Sequence, residues 1–408
     1  MYDSATGNHA KMGKAVLFWP NLQGPLYLQL HEGQLLDKDG LVILSVHQVD
    51  ISFSRRGLLR GKIMPKSIIL KQPTLRVARS ESGEFEFNIG KNVERGSTQQ
   101  RELTTKIFGY IARPGEESAH DSLIARLQGF AIEDASLLVD DQQAKQTWAL
   151  PDFDLKLVST TEGMEGSVNI EVPQSGLGNS TVTAEMNYLW DQKNVEVSAD
   201  INALNIQDII SGIPELGMIG LPPTQNIMID AHVETILDEN FMPTDVRASI
   251  NSKGGDILHP QLLDQPIPYK DLAVNATYNY AGKTLQIKET NLTLKDVTVS
   301  AKAEITHTAS DIKGSAEVWI DHAKQEDIVA IWPKFLEGEG VEEWVVKRMS
   351  KGDFKDIRAV LDIVANKAID PDTNESQWSV NAQNVVADFA AEDMTLEYRA
   401  PLDKAEHV

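Results

Sequence analysis

The sequence predicts a mostly-β protein: a long, curled antiparallel sheet that forms a groove, with a few short helices that cap it. Apolar and polar residues alternate with a period of two along most of the 408 residues. Turn-forming pairs, among them Asp39-Gly40 and Ala281-Gly282, separate these stretches and predict hairpin loops. Continuous apolar runs, which strands of buried parallel sheet need, are scarce.

The predicted strands share one pattern, in which every second residue is apolar and its neighbours are polar. They are Leu26–Leu30, Phe153–Leu157, Val168–Val172, Val182–Tyr188, Val195–Ile201, Ile227–Val233, Val246–Ile250, Leu272–Tyr280, Val297–Ile305, Ala316–Ile320 and Trp378–Ala382. Each strand therefore has one apolar face and one polar face, which is typical of antiparallel sheet with one side in water. Further hairpin loops are expected at Ser82-Gly83, Asp191 to Asn194 and Asp370 to Glu375.

Few segments have helical spacing. Glu102–Ala112 ends before Pro114, and Ile206–Ile213 ends before Pro214. Two more helices are predicted close together, one from Glu326 to Trp332 and an amphipathic one over Val341–Ser350. A strand is predicted to begin after Gly352-Asp353.

Two tryptophan–proline pairs, Trp19-Pro20 and Trp332-Pro333, are expected to cap exposed ends of the sheet. In this interpretation the ring covers the sheet end and the proline stops the preceding element. The other interpretation is that the rings stack on a ligand. The helix face formed by Trp344, Val341, Val345 and Met349 is expected to cover the chain's own sheet, and docking on a membrane or a partner is the alternative.

The strand pattern divides the chain into three predicted regions. Residues 1–90 form an N-terminal β segment, residues 91–120 are a polar helical or loop excursion, and residues 121–408 form the central β region. An apolar face over roughly fifteen strands would extend ~70 Å and cannot remain in water. The sheet therefore folds as a sandwich, closes as a barrel, or curls into a gutter whose lining an apolar ligand covers.

Composition and motifs exclude several classes of function. A net charge of −22 argues against binding nucleic acid and against electrostatic adhesion to an anionic membrane surface. The compact basic cluster Arg55, Arg56, Arg60 and Lys62 is interpreted as a solvated strand end. The chain has no cysteine, its nine histidines have no zinc spacing, and no nucleotide-binding or nucleophile-elbow motif occurs. We therefore assign no catalytic residue, no metal ligand and no cofactor. The calcium-like spacing of Asp370, Asp372 and Asn374 and the pair Asp140-Asp141 are both interpreted as turns.

Three segments resemble the AsmA-like superfamily, in particular YhdP-type central domains, which are related to TamB and other repeating β-groove, bridge-like lipid transfer proteins. The first runs from Leu17 to Phe87 and includes LFWPNLQGPLYLQL and LLRGKIMP. The second is Ala203–Pro222. The third, the most distinctive, comprises Ile331-Trp332-Pro333, Trp344-Val345 and Lys351-Gly352.

The resemblance implies a non-enzymatic protein of the Gram-negative envelope that carries phospholipid acyl chains in an apolar β-groove between the inner and outer membranes. By the same resemblance, the protein would support outer-membrane integrity. It would lie in the periplasm, be anchored to the inner membrane, and contact outer-membrane or periplasmic proteins. In that family a transmembrane anchor precedes the segment that corresponds to Leu17–Phe87, and further strands follow the central domain. We therefore expect this sequence to be part of a longer protein. Residues 1–90 would be the membrane-proximal segment.

The predicted groove lining consists of small and aliphatic residues that suit non-specific acyl chains. Its members are Val182, Ala184, Met186, Val195, Val197, Ala199, Ile227, Ile229, Val246, Ala248, Val274, Ala276, Val297, Val299, Ala301, Val318 and Ile320. Two other functions stay open at this point. A structural or regulatory β-scaffold that binds other envelope proteins would pack its apolar faces together, and a hydrolase would bring a histidine and a carboxylate into a cleft.

Overall fold

A computed structural model of the chain describes residues 9–21, 24–36, 42–80, 85–89, 127–142, 146–174, 178–192, 194–207, 227–238, 242–258, 263, 265–308, 310–338, 340–369 and 376–397. Strands make up 72% of the structure and helices 9%, which confirms a mostly-β fold with few short helices. Contacts divide the chain into two compact units, Met1–Ile201 and Asn202–Val408. The two units are described separately below.

The strands and helices of the described residues follow one another in this order. The strands are β1 (His9–Lys11), β2 (Lys14–Phe18), β3 (Leu26–Leu36), β4 (Val42–Phe53), β5 (Pro65–Lys71), β6 (Thr74–Arg79), β7 (Phe85–Ile89), β8 (Gly129–Asp141), β9 (Gln146–Ser159), β10 (Gly163–Gln174), β11 (Gly178–Leu189), β12 (Asn194–Asn205), β13 (Met228–Leu237), β14 (Pro243–Ser252), β15 (Gly255–Ile257), β16 (Ile267–Tyr269), β17 (Asp271–Asn279), β18 (Thr284–Leu294), β19 (Val297–His307), β20 (Asp311–Lys324), β21 (Met349–Ser350), β22 (Asp353–Ile369), β23 (Ser376–Glu392) and β24 (Thr395–Leu396). The helices are α1 (Arg55–Leu58), α2 (Gln325–Ala330) and α3 (Gly340–Glu342), with a 3₁₀ turn at Lys334–Leu336. A π-helix, Glu343–Arg348, continues α3.

Every predicted strand coincides with an observed one, and the strand expected after Gly352-Asp353 is β22. The two neighbouring helices predicted before it are also present, the second ending at Arg348 rather than Ser350. The excursion at 91–120, the helix Glu102–Ala112 and most of Ile206–Ile213 lie outside the described residues. So do the predicted loops at Asp39-Gly40, Ser82-Gly83 and Asp370 to Glu375.

In unit 1 the main sheet runs β2–β3–β4–β5–β8–β9–β10–β11, and β1 also pairs with β3. One feature departs from the predicted antiparallel sheet: β8 is parallel to β5 along its first half and to β6 along its second half. The departure has a simple cause, because the long connection between β7 and β8 frees β8 from the antiparallel pairing that a short hairpin imposes. The sheet of this unit is therefore mixed.

In unit 2 the strand pairings among the described residues run β13–β14–β17–β18–β19–β20–β22–β23, and all of them are antiparallel. Two small two-stranded sheets, β15–β16 and β21–β24, are separate from this sheet. The turn after β17 is closed by a hydrogen bond from Gly282 N to Asn279 Oδ1 (2.6 Å), as the Ala281-Gly282 signal predicts. This unit is a meander, in which neighbours in sequence are neighbours in the sheet.

The glycine before β22 is a position that no other residue can occupy without strain. Gly352 has φ +72°, and a Cβ placed there would lie 2.5 Å from Glu392 O and 2.8 Å from Asp393 C. We expect Gly352→Ala to lower the free energy of unfolding by about 1–3 kcal/mol, through left-handed strain and the backbone clash. Urea unfolding measures this, and Gly340→Ala is the control, because nothing lies within 4 Å of a Cβ there. Equal free energies of unfolding for the two variants would contradict the conclusion that a side chain at position 352 is strained.

An ion pair links β6 to the second half of β8. Arg76 Nη2 donates a 2.8 Å hydrogen bond to Asp140 Oδ2, and this bond holds the pKa of Asp140 below its ordinary value. Because the folded carboxyl binds its proton less readily than the unfolded one, the pair stabilises the fold above the ordinary pKa of aspartate. That contribution disappears as the pH falls through the lowered pKa.

We therefore expect Arg76→Gln to lower the free energy of unfolding at neutral pH by less than about 1 kcal/mol and to have no effect in strong acid. Thermal unfolding at a series of pH values measures the difference. A penalty that does not change with pH would show that Arg76 acts through packing instead.

Candidate functional site

One face of the sheet of unit 2 carries rows of apolar residues that lie in register. One row crosses eight strands, from β13 to β23. Its members are Val233, Ala248, Ala276, Ile287, Ala303, Ala316, Leu361 and Val385. The next row contains Ala231, Ile250, Val274, Thr290, Ala301, Val318, Ala359 and Ala387. All but Ala231 and Leu361 are half-buried rather than buried. The face is therefore continuous and only partly covered by protein.

Unit 1 has a comparable face that is more fully packed. One row there contains Leu17, Leu28, Ile51, Ile68, Phe130, Leu157, Gly166 and Met186, on strands from β2 to β11. At its centre Phe130, Ile132, Leu155 and Leu157 are buried in one cluster. The predicted lining residues Val182, Ala184 and Met186 lie on this face in β11. In β12, Val195 is buried, while Val197 and Ala199 are half-buried.

The predicted lining residues of unit 2 all have the register of its apolar face. Val246, Ala248, Val274 and Ala276 face one another across β14 and β17. In the same way Val299, Ala301, Val318 and Ile320 face one another across β19 and β20, while Ile227, Ile229 and Val297 are buried beside them. The opposite face is polar and hydrogen-bonded, for example from Ser249 Oγ to Asn275 Oδ1 (2.8 Å).

A helical segment, residues 325–348, packs on part of this apolar face; we call it the cap. Ile328 and Val345 of the cap are buried in one cluster with Ile320 and Phe354 of the sheet. Pro333 separates α2 from the 3₁₀ turn, as expected of a residue that cannot continue a helix. The cap is therefore held to the sheet by side-chain packing.

A buried glutamine links the beginning of the cap to its end by hydrogen bonds. The side chain of Gln325 is 9% exposed, and its Nε2 donates hydrogen bonds to Met349 O (2.9 Å) and Val345 O (3.3 Å). These carbonyls lie at the end of the π-helix, where no helical donor is left to satisfy them. Sequence reasoning missed Gln325, because a single polar residue at the start of a short helix is also a common surface position.

Between the cap and the sheet lies a cavity of about 300 Å³, at the lower end of the range for ligand-binding pockets. Its walls are formed by aliphatic and aromatic side chains, and the indole N–H of Trp332, which has no hydrogen-bond partner among the described residues, is the polar group they include. The sheet contributes, among others, Val299, Val318, Ala359 and Phe389, and the cap contributes Trp332, Leu336 and Val345. Such a cavity can hold a hydrocarbon group, and no titratable side chain of a described residue lines it.

The tryptophans that the sequence analysis singled out, Trp19, Trp332 and Trp344, lie in different surroundings. Trp332 and Pro333 line the cavity. Trp344 lies outside the buried cluster, 41% exposed and stacked under the guanidinium of Arg348, so it does not share the covered face with Val341, Val345 and Met349. The π-helix explains this, because its extra residue per turn changes the spacing of the helix face. Trp19 follows β2, is 41% exposed and donates a hydrogen bond to Gly24 O (3.1 Å).

Histidine–carboxylate pairs among the described residues lie on the surface. His322 Nε2 is 3.2 Å from Asp353 Oδ1, and His232 Nε2 is 3.7 Å from Glu234 Oε1, with all four side chains well exposed. Neither pair lines the apolar cavity. Asp140 accepts hydrogen bonds from Arg76 and Thr147 at the end of β8, so its role there is structural.

Three carboxylates, those of Asp134, Asp152 and Asp154, lie with oxygens within 4.8 Å of one another in unit 1. Burial raises the pKa of Asp152, and the neighbouring acidic groups raise it further. Asp154 accepts a 2.9 Å hydrogen bond from the backbone N of Asp134. The group is an acidic surface cluster around a β-bulge.

Within the described ranges, no helix is both long enough and apolar enough to cross a bilayer. A scan of protein-family models, a search of curated proteins and a search of solved structures each found no match.

Proposed function

We propose that this chain is a non-enzymatic phospholipid carrier of the Gram-negative cell envelope, a YhdP-type member of the AsmA-like superfamily. Acyl chains lie along the apolar face of the sheet, and head groups stay at its wet edge. The observation that supports this most is the register of unit 2, where apolar rows continue across eight strands and remain only half-buried. A protein that packs only on itself has no need of such a face.

The chemistry of this face suits transport better than tight storage. Each buried methylene gains about 0.8 kcal/mol relative to water, so ten of them gain about 8 kcal/mol before ordering is counted. A bilayer gives an acyl chain much the same gain. Exchange between membrane and protein is then nearly neutral in free energy, and a lining without polar anchors lets the chain slide.

The location and partners of the protein follow from the proposed family membership. The chain works in the periplasm as part of a longer protein anchored to the inner membrane. Its cargo moves between that membrane and the outer membrane, where envelope proteins receive it. The tryptophan–proline signature at Trp332-Pro333 lines the cavity, which supports a role for this motif in holding lipid.

A second candidate is a structural or regulatory β-scaffold that binds other envelope proteins. The packing of unit 1 favours it, because Val46, Leu70, Ile132 and Leu157 are each less than a tenth exposed in one cluster. A unit that is filled by its own side chains leaves little room for cargo. The carrier proposal therefore rests chiefly on unit 2.

Lipid extraction and mass spectrometry of the natively purified chain separate the two candidates. The carrier proposal predicts phospholipids of mixed acyl composition that co-purify with the folded protein. Val318→Asp should remove them, and Glu317→Gln on the opposite face of β20 should not. A folded protein that emerges free of lipid would favour the scaffold.

A further inference from the structure

Positive charge is concentrated in one short part of an otherwise acidic chain. The whole chain has 60 acidic and 38 basic residues, but between Ile51 and Ser80 there are eight basic residues and no acidic one. The segment covers the end of β4, the turn containing α1, and strands β5 and β6. This asymmetry calls for an explanation beyond solubility, which the net charge of −22 already provides.

Most of these cations have no ion-pair partner among the described residues. Lys71 pairs with Asp50 (3.4 Å) and Glu133 (3.6 Å), and Arg76 pairs with Asp140. Five others are exposed and form no ion pair with any described residue: Arg55, Arg56, Arg60, Lys62 and Lys66. All five belong to the turn between β4 and β5 or its immediate flank. We call residues 54–66 the basic turn.

The basic turn also exposes large aliphatic side chains. Leu59 is 74% exposed and Ile63 is 68% exposed. At the same edge of the sheet, Leu26 pairs with Phe53, which places the turn after Trp19 beside the basic turn. Trp19 is itself exposed, and a concavity of about 620 Å³ is lined by Gly24, Pro25, Arg55, Arg56, Leu59 and Lys66, among others.

The conformation of the basic turn is closely specified. Ser54 Oγ accepts from Gly57 N at 3.4 Å, and Leu58 N donates to Ser54 O at 3.0 Å. Gly57 is buried, and a Cβ there would lie 3.0 Å from Lys62 O and 3.2 Å from Met64. The exposed leucine and isoleucine are therefore presented on a defined scaffold.

We propose that the basic turn docks on the surface of an anionic phospholipid bilayer. The five cations lie against lipid phosphates, while Leu59 and Ile63 insert below the head groups and bury there. A polyphosphate backbone would leave both aliphatic side chains in water, whereas a bilayer offers acyl chains directly beneath its phosphates. This surface lies in unit 1 and does not depend on the apolar face of unit 2.

Vesicle flotation of the full chain tests the proposal. The chain should float with phosphatidylcholine vesicles that contain phosphatidylglycerol, should not float with pure phosphatidylcholine, and should dissociate at high salt. Each neutralised cation should weaken partitioning about fivefold, so Arg55→Gln/Arg56→Gln/Arg60→Gln should weaken it roughly a hundredfold. Leu59→Asn/Ile63→Asn should weaken it at least about tenfold.

Matched controls come from unit 2. Lys253→Gln/Lys288→Gln/Lys313→Gln removes the same charge from exposed positions, and Ile236→Asn/Met242→Asn replaces exposed apolar residues there. Both should float like the unaltered chain. Circular dichroism confirms that each variant is folded. The proposal is overturned if the unaltered chain does not float, or if the basic-turn variants float as well as the control variants. It is also overturned if the chain binds an acidic protein but does not bind vesicles.

Discussion

Val299→Asp is expected to abolish lipid binding by unit 2 while leaving the protein folded. Val299 faces Leu292 and Ile320 on neighbouring strands and lines the apolar cavity under the cap. An ionised carboxylate against an acyl chain, with no cation in the lining to pair with it, costs several kcal/mol. Because about 1.4 kcal/mol corresponds to tenfold in affinity, bound phospholipid should fall at least about a hundredfold. Quantitative mass spectrometry of extracted lipid measures it.

The control for this substitution is its neighbour in β19. Thr298 is exposed on the polar face, so Thr298→Asp introduces the same charge one residue away without touching the apolar face. That variant should retain its lipid. Since the Val299 side chain is only half-buried, the new carboxylate remains hydrated in the lipid-free protein and the fold should survive. Equal lipid content of the two variants would contradict the assignment of the apolar face as the binding surface.

Phe354→Ala is expected to have the largest effect on stability. Phe354 is 1% exposed and packs edge-to-face on Phe389, with ring centroids 5.0 Å apart. It lies in the cluster that joins the sheet to Ile328 and Val345 of the cap. Removing the ring should lower the free energy of unfolding by about 3–5 kcal/mol, through lost burial and the cavity left behind. Hydrogen exchange should rise first in residues 325–348, because the cap loses a buried contact with the sheet.

Trp344→Ala is the matched control, because this ring is also large and aromatic but lies outside the buried cluster. It should cost well under half as much as Phe354→Ala in urea unfolding. Similar penalties for the two variants would mean that the cap is held by surface contacts rather than by the cluster beneath it.

Much of the fold could be predicted because burial on one face of a strand requires apolar and polar residues to alternate along the sequence. Residues Val297 to Ile305 alternate without interruption, and all their apolar members share the face that the register defines. The Trp332-Pro333 break in the helical segment was equally visible, because proline cannot continue a helix.

What could not be predicted depends on irregularities that have no sequence signal. In β22 the register shifts between Lys355 and Arg358, and Asp356 has φ +51°. This bulge puts Phe354 and Ile357 on the same face although they are three residues apart, so a search for period two overlooks Phe354. The parallel pairing of β8 with β5 and β6 was missed because pairing partners far apart in sequence leave no local pattern.

Site-specific photo-crosslinking in cells tests the central claim, that acyl chains lie on the apolar face, most directly. Benzoylphenylalanine would replace Ala303, which lies in the middle of the long apolar row, or Glu304, the next residue, which is exposed on the polar face. The account predicts phospholipid adducts at position 303 and none at position 304. Adducts at both positions, or protein adducts at position 303 without lipid, would contradict it.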